Sequence, residues 1–181
     1  MTSNKQQAFE ILFLGASGAG KTLLIRRLKQ LVKQVAQRDM TDTMPTTGVE
    51  VDKLVIGRLE TTVREVGGSF TAVWPNFFSD CHAWCYVIDM SDRVSVSEAA
   101  VEFVNVMMHE KMRNKPVLLI LNKMDIEVAM TMKELDAKIL LNDMTRDLGN
   151  RLCVVEASAT EGTGMDLVLS TLTSFVDSRC A

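Results

Sequence analysis

At 181 residues, with 47% hydrophobic, 24% charged and only 6% aromatic side chains, the chain has the size and composition of one globular domain, which excludes a fibrous, repetitive or disordered protein. A net charge of -3 offers no global attraction to nucleic acid or to an anionic membrane. Four scattered cysteines, Cys81, Cys85, Cys153 and Cys180, make neither a disulfide scaffold nor a zinc site.

In chain order, residues 1–8 read as a short polar tail without a signal-peptide core, and Thr2 stands where myristoylation needs glycine. Phe9 to Leu14 is short and largely apolar, as a strand buried on both faces should be. Directly after it comes Gly15-Ala16-Ser17-Gly18-Ala19-Gly20-Lys21-Thr22, a G-x-x-x-x-G-K-[ST] segment that opens a helix-period stripe of Leu24, Leu28, Leu31, Val32 and Val35. The glycines let successive backbone N–H groups wrap phosphate oxygens at a helix N-terminus. Lys21 is expected to reach the β- and γ-phosphates, and the Thr22 hydroxyl to ligate Mg²⁺. A glycine-rich turn that binds nothing has no need of Lys and Thr at the helix start, so nucleoside triphosphate binding is the strongest inference. The basic residues that follow, Arg26, Arg27, Lys29, Lys33 and Arg38, read as a solvated helix face.

Glu50 to Ile56 and Leu59 to Val66, separated by Gly57-Arg58, alternate in polarity and predict an antiparallel pair at a sheet edge. Cys85 to Ile88 predicts another buried strand, with Cys81 and Cys85 as buried thiols on one of its faces. Asp89-Met90-Ser91-Asp92 closes that strand and is expected to cap the helix carrying Val96, Ala100, Phe103, Val104 and Met107, with Asp89 close enough to support the phosphate loop. His82 and His109 lie at no motif spacing and read as packing or surface groups. After the strand Val117 to Leu121 comes Asn122-Lys123-Met124-Asp125, an N-K-x-D tetrad at a strand's carboxyl end, where ligand crevices of α/β folds open. A carboxylate there accepts both the N1 and N2 hydrogens of guanine, and adenine presents no such pair, so the tetrad selects GTP over ATP. A helical stripe at Leu135, Ile139 and Leu140, a strand from Leu152 to Val155, and a final helix with Met165, Val168, Leu169, Leu172, Phe175 and Val176 complete the pattern. The expected fold is a three-layer α/β sandwich of about six strands, mainly parallel with one antiparallel edge strand and helices on both faces, filling residues 1–181 as a single domain.

With both motifs in place about 100 residues apart, the chain resembles the small GTPases of the Ras superfamily, and within them the Arf-like branch, from about Phe9 to Val176. Pro45-Thr46-Thr47-Gly48 resembles the P-T-x-G of the Arf first switch, which implies that Thr46 is the second Mg²⁺ hydroxyl and senses the γ-phosphate. Glu65-Val66-Gly67-Gly68 is similar to the D-x-G-G of the second switch, and Trp74-Pro75-Asn76-Phe77-Phe78 to the W-x-x-Y-F that follows it. Ser158-Ala159-Thr160 stands at the place of the family's guanine-contacting loop. The resemblance implies the P-loop small G-protein fold, GTP/GDP and Mg²⁺ as ligands, and slow GTP hydrolysis carried by Lys21, Thr46 and Gly68. It further implies a two-state switch served by effectors, an exchange factor and an activating protein. Such a switch would act as a cytoplasmic monomer with at most peripheral membrane contact, in vesicle or ciliary traffic. Ser178-Arg179-Cys180-Ala181 lacks the three residues that a prenylation box places after its cysteine.

The departures from the family pattern carry expectations of their own. Ser69 replaces the Gln that orients the attacking water, so intrinsic hydrolysis is expected to be weak. Glu65 in place of Asp adds one methylene beside the water that the metal holds, which is expected to loosen Mg²⁺ and speed exchange. The stretch from Gly68 to Trp74 is shorter than in Arf proteins, and that from Thr22 to Pro45 is longer, extending the first helix by about two turns. Arg64 stands where Arf relatives place an effector-contacting Trp and Val49 where they place Phe, leaving Phe77 alone of three aromatic positions and arguing against shared Arf effectors. A GTP-binding scaffold without useful hydrolysis is the competing function. A phosphotransferase using ATP is a weaker third, opposed by Asn122 and Asp125.

Overall fold

The computed structural model describes residues 8–34 and 44–179. Strands β1 (Phe9–Gly15), β2 (Val49–Ile56), β3 (Leu59–Val66), β4 (Ala83–Asp89), β5 (Val117–Asn122) and β6 (Leu152–Glu156) form one sheet in the order β2-β3-β1-β4-β5-β6. All neighbours are parallel except β2 and β3, which pair antiparallel from Val49↔Val66 to Ile56↔Leu59 across the Gly57-Arg58 turn. The expected edge hairpin and the mainly parallel six-strand sheet are both present.

Period-two alternation divides the central strands between two cores. Ile11 and Phe13, Ala83, Cys85 and Val87, and Leu118 and Ile120 face α1 (Lys21–Lys33) and α5 (Met165–Asp177). Leu12 and Leu14, Trp84, Tyr86 and Ile88, and Val117, Leu119 and Leu121 face α2 (Val96–Met108), α3 (Met132–Ile139) and α4 (Leu141–Leu148). Every residue of β5 is buried, which is why its sequence reads as an unbroken apolar run rather than an alternation.

Three details differ from the sequence reading. Cys81 precedes β4 instead of lying on it, so Cys81 and Cys85, though both buried, enter opposite cores. The stripe through Leu135, Ile139 and Leu140 is broken: Leu140 takes φ 53°, and the Asp136 carboxylate accepts the Asn142 backbone N–H at 2.7 Å and starts α4. α1 stops at Lys33, where Gln34 takes φ 51° and donates its N–H to Gln30 and Leu31 carbonyls, so the expected two-turn extension is not found in the described helix. Val35 and Arg38 lie outside the described residues.

Because β3, β1, β4, β5 and β6 run parallel, their carboxyl ends open on one edge of the sheet. That edge receives Gly67-Gly68, the phosphate loop, Asp89, the Asn122 tetrad and the Ser158 loop, in that order. β1 lies between β3, which belongs to the hairpin reached through α1, and β4, and this reversal of strand order is the arrangement that opens a crevice in α/β sheets.

Candidate nucleotide site

The phosphate loop is shaped by close approaches as much as by its own turns. Gly20 caps α1 in a left-handed conformation, φ 94°, and a Cβ there would stand 2.3 Å from Asn122 Nδ2. That contact is productive: Asn122 Nδ2 donates to the Ala19 carbonyl at 2.8 Å, while Asn122 Oδ1 accepts the Ala159 N–H at 3.1 Å. One buried amide thus joins the phosphate loop, the N-K-x-D tetrad and the Ser158 loop. Losing it would leave a buried acceptor and a buried donor unpaired, at about 1–3 kcal/mol each.

Lys21 is 5% exposed, and its Nζ donates to the Gly15 and Ala16 carbonyls at 2.8 and 2.9 Å. Burial lowers its pKa to about 8, an effect only partly opposed by the Glu65 charge. A cation held at that cost beside N–H-lined turns is a site prepared for an anion.

Three oxygens from three segments meet next to it. Thr22 Oγ1, in the first turn of α1, lies 3.0 Å from Thr46 Oγ1 in the loop before β2, and Glu65 Oε1, near the end of β3, lies 2.7 Å from the first and 3.1 Å from the second. Both contacts to Glu65 are hydrogen bonds donated by the hydroxyls, and two hydroxyls with a carboxylate form a hard-oxygen donor set of the kind that Mg²⁺ takes, so the residues fit the ion. Burial raises the Glu65 pKa, against the lowering by the hydroxyls of Thr22 and Thr46 and the charge of Lys21. Ser17, Gly18, Gly20, Lys21, Thr22, Pro45, Thr46, Glu65 and Gly68 line a common cavity of about 80 Å³. A larger cavity, about 400 Å³, lies between α1 and the start of α5 and includes none of the phosphate loop.

The Thr46 loop and Gly68, from the first and second switch segments, both reach this cavity. Gly67 donates its N–H to the Gly48 carbonyl at 2.9 Å, which joins the Thr46 loop to the end of β3. Gly68 is pressed against the phosphate loop so closely that a Cβ would stand 2.1 Å from Ser17 N. Trp74, fully buried in a 3₁₀ turn over Thr71–Phe77, donates Nε1 to the Gly67 carbonyl at 3.3 Å and meets Tyr86 edge-on. Ser69 is exposed beside this anchored stretch.

At the base end, Lys123 takes φ 66° and its Nζ reaches Asp89 Oδ2 at 2.6 Å, so Asp89 supports the tetrad rather than the phosphate loop. Asp125 is exposed, with its carboxylate making no hydrogen bond among the described residues. The Ser158 loop is braced by Ser158 Oγ accepting the Glu161 N–H at 3.0 Å and by the Gly162 N–H to the Ser158 carbonyl at 2.8 Å. Its other brace escaped the sequence reading. Arg27, expected on a solvated face, is buried, donating Nε to the Ala159 carbonyl at 2.8 Å and an Nη to the Thr160 carbonyl. A signal existed, because Leu24, Arg27, Leu28 and Leu31 share one helix face. Asp92 does help start α2, accepting the Ser95 N–H at 3.2 Å. His82 and His109 pack on Phe9 and Phe78, as expected of packing groups.

The surface where Arf relatives carry aromatics is altered beyond the substitutions themselves. Arg64 pairs with Glu10 through two hydrogen bonds, Nε to Oε1 at 2.6 Å and Nη2 to Oε2 at 3.3 Å, and lies 5.1 Å over the Phe77 ring. The one remaining aromatic is thereby half-buried under a guanidinium.

Comparison with known proteins extends these observations to the whole chain. Residues 1–176 match the model of the ADP-ribosylation factor family. Human ADP-ribosylation factor-like protein 16 is 32% identical over 89% of this chain and 83% of its own length. Human ADP-ribosylation factor-related protein 1 is 29% identical over 86% of this chain and 78% of its own. The fold matches that of the Arl6 small GTPase from Trypanosoma brucei, solved with the nucleotide analogue GppNp, at a TM-score of 0.72 and 24% identity over 92% of this chain and 97% of that one.

Proposed function

This chain belongs to the ADP-ribosylation factor family of small GTPases, and on that premise we propose that it is a GTP-dependent molecular switch whose own hydrolysis is weak. The observation that carries the reading is the convergence of Thr46 and Gly68, from separate segments, on the phosphate loop around Lys21 and Thr22. Two segments that converge where a γ-phosphate would lie can be ordered by it and released on its loss.

Each residue has a role in that scheme. Gly15 to Gly20 offer backbone N–H groups to the phosphates, and Lys21, already buried and charged, neutralises them. Thr22 and Thr46 would hold Mg²⁺ through their hydroxyls, and the ion would supply positive charge against that of the phosphates. Gly68 brings its backbone to the γ-phosphate. Asn122 and Lys123 hold the base loop in place, Asp125 accepts the guanine N1 and N2 hydrogens, and Ser158, Ala159 and Thr160 close over the base edge. Weak hydrolysis follows from Ser69, whose short, exposed hydroxyl replaces the water-orienting carboxamide.

We assign the protein to the cytoplasm, as a single-domain monomer whose GTP form recruits effectors in vesicle or ciliary traffic, as the likeness to Arf-like proteins implies. Among the described residues no helix is long and apolar enough to cross a membrane. An exchange factor and an activating protein complete the cycle. Arg64 over Phe77 argues for effectors different from those of Arf proteins.

A scaffold that binds GTP without switching is favoured by one observation, the Ser69 position. Partner capture from cell extract by protein loaded with GDP or with a non-hydrolysable GTP analogue separates the two. Capture confined to the analogue form is expected, and equal capture by both forms would sink the switch.

A further inference from the structure

We infer that the cavity between α1 and the start of α5 is a binding site for an arginine side chain of a partner protein. Its effect on nucleotide rests on the guanine-nucleotide reading above; the site itself does not.

The cavity measures about 400 Å³, against about 80 Å³ beside the phosphate loop, and falls in the range of about 300–1,000 Å³ that ligand sites occupy. Leu31, 37% exposed, and the buried Met165 offer apolar surface to it from α1 and α5. Arg27 also lines it, with its guanidinium committed to the Ala159 and Thr160 carbonyls and, at 3.4 Å, to Gln30 Oε1. Glu161 and Asp166 complete the wall. Both are exposed, and neither carboxylate makes a hydrogen bond or ion pair among the described residues. The N-terminus of α5 accounts for Asp166, which stands in its first turn, but not for Glu161, which lies before the helix.

Unmet acceptors beside apolar surface call for a cation on an aliphatic stem. A guanidinium is always charged and donates in pairs to carboxylates, while its methylenes cover surface such as that of Leu31 and Met165. An anion would face two carboxylates. A metal ion would use neither apolar side chain, and among the described residues no three acidic, His or Cys side chains gather to hold one.

Occupancy reaches the nucleotide through one loop. Glu161 donates its backbone N–H to Ser158 Oγ at 3.0 Å, and Gly162 donates its own to the Ser158 carbonyl at 2.8 Å. The residue that holds the guanidinium is thereby tied to the segment that closes over the base. An arginine paired with Glu161 and Asp166 and resting on Leu31 spans the loop, α5 and α1 together. It restrains Ser158 to Thr160 and slows the loss of GDP.

The test titrates N-acetylargininamide into the full chain loaded with GDP and Mg²⁺, followed by backbone amide NMR. Saturable shifts at Leu31, Glu161, Gly162 and Asp166 are expected, with half-saturation at millimolar concentration for so small a probe. The neutral isostere N-acetylcitrullinamide should give none, and neither should the arginine probe with the Glu161→Gln, Asp166→Asn double variant. GDP release should slow about fivefold at saturation. Spermidine separates a free polyamine from a peptide side chain, and it is expected to bind more weakly than the arginine probe. Equal shifts from the citrulline isostere, or undiminished shifts in the double variant, would overturn the site. Tighter binding of spermidine would overturn the protein source, and unchanged GDP release at saturation would overturn the coupling. Failure of wild type to bind GDP would overturn the reading beneath the coupling, and the same titration of the unloaded chain then decides the site by itself.

Discussion

Lys21 sets the electrostatic character of the phosphate loop. Its pKa is about 8 when buried and near 10.5 when the chain is unfolded, so the unfolded state binds more protons between those values. Stability of the nucleotide-free protein should therefore rise with pH across that window, by roughly 3 kcal/mol from this group, and below pH 8 the cost is fully present. Denaturant titrations through the window are expected to show that rise in wild type and to lose it in Lys21→Met. Arg27 carries a second prediction at this scale. Arg27→Ala leaves the Ala159 and Thr160 carbonyls without their charged donor, costing about 1.5–3 kcal/mol of order in the loop. GDP should dissociate about tenfold faster or more, read by fluorescent-nucleotide release. Lys21, Thr22, Asn122 and Asp125 were legible because phosphate and guanine chemistry demand those residue types at those spacings. Arg27 was not, because periodicity assigns a helix face but not what waits across from it.

Among elements, the stretch from Gly67 to Trp74 decides how the switch works. Its shortness brings Trp74 back to hydrogen-bond the Gly67 carbonyl, and its first glycines lie against the Thr46 loop and the phosphate loop. Gly68→Ala places a methyl group where only 2.1 Å separates it from Ser17 N, so the closed arrangement is blocked. That variant should keep GDP and lose capture of GTP-state partners, checked by pull-down with both loaded forms. Hydrolysis is expected to be slow for a different reason, the absence of a carboxamide at Ser69. Single-turnover γ-phosphate release should not exceed about 5 × 10⁻⁴ s⁻¹, the unaided rate of Ras with its Gln. A faster rate would show that another group orients the water. Strands were legible at this scale because burial on both faces leaves apolar runs. The break at Leu140 was not, since a leucine in a left-handed conformation sends no sequence signal, and Cys81 was misplaced because a strand's first residue is not marked by composition.

For the whole molecule, a parallel sheet gathers every motif at one edge: segments scattered from Gly15 to Thr160 become neighbours because β3, β1, β4, β5 and β6 end there together. Alternation of apolar runs and amphipathic helices made that architecture readable, and two motifs located its crevice. The contacts that knit the crevice, Asn122 across to Ala19 and Ala159 above all, depend on distances between loops that no spacing in the chain encodes. The central claim, that the crevice selects guanine nucleotide, is tested most directly by displacing fluorescent GDP with GTP, ATP or XTP from wild type and from Asp125→Asn. Displacement by GTP but not ATP in wild type is expected, with a change of preference toward XTP in Asp125→Asn, whose amide can donate to the xanthine oxygen. Displacement by ATP as readily as by GTP, or no gain for XTP in the variant, would contradict it.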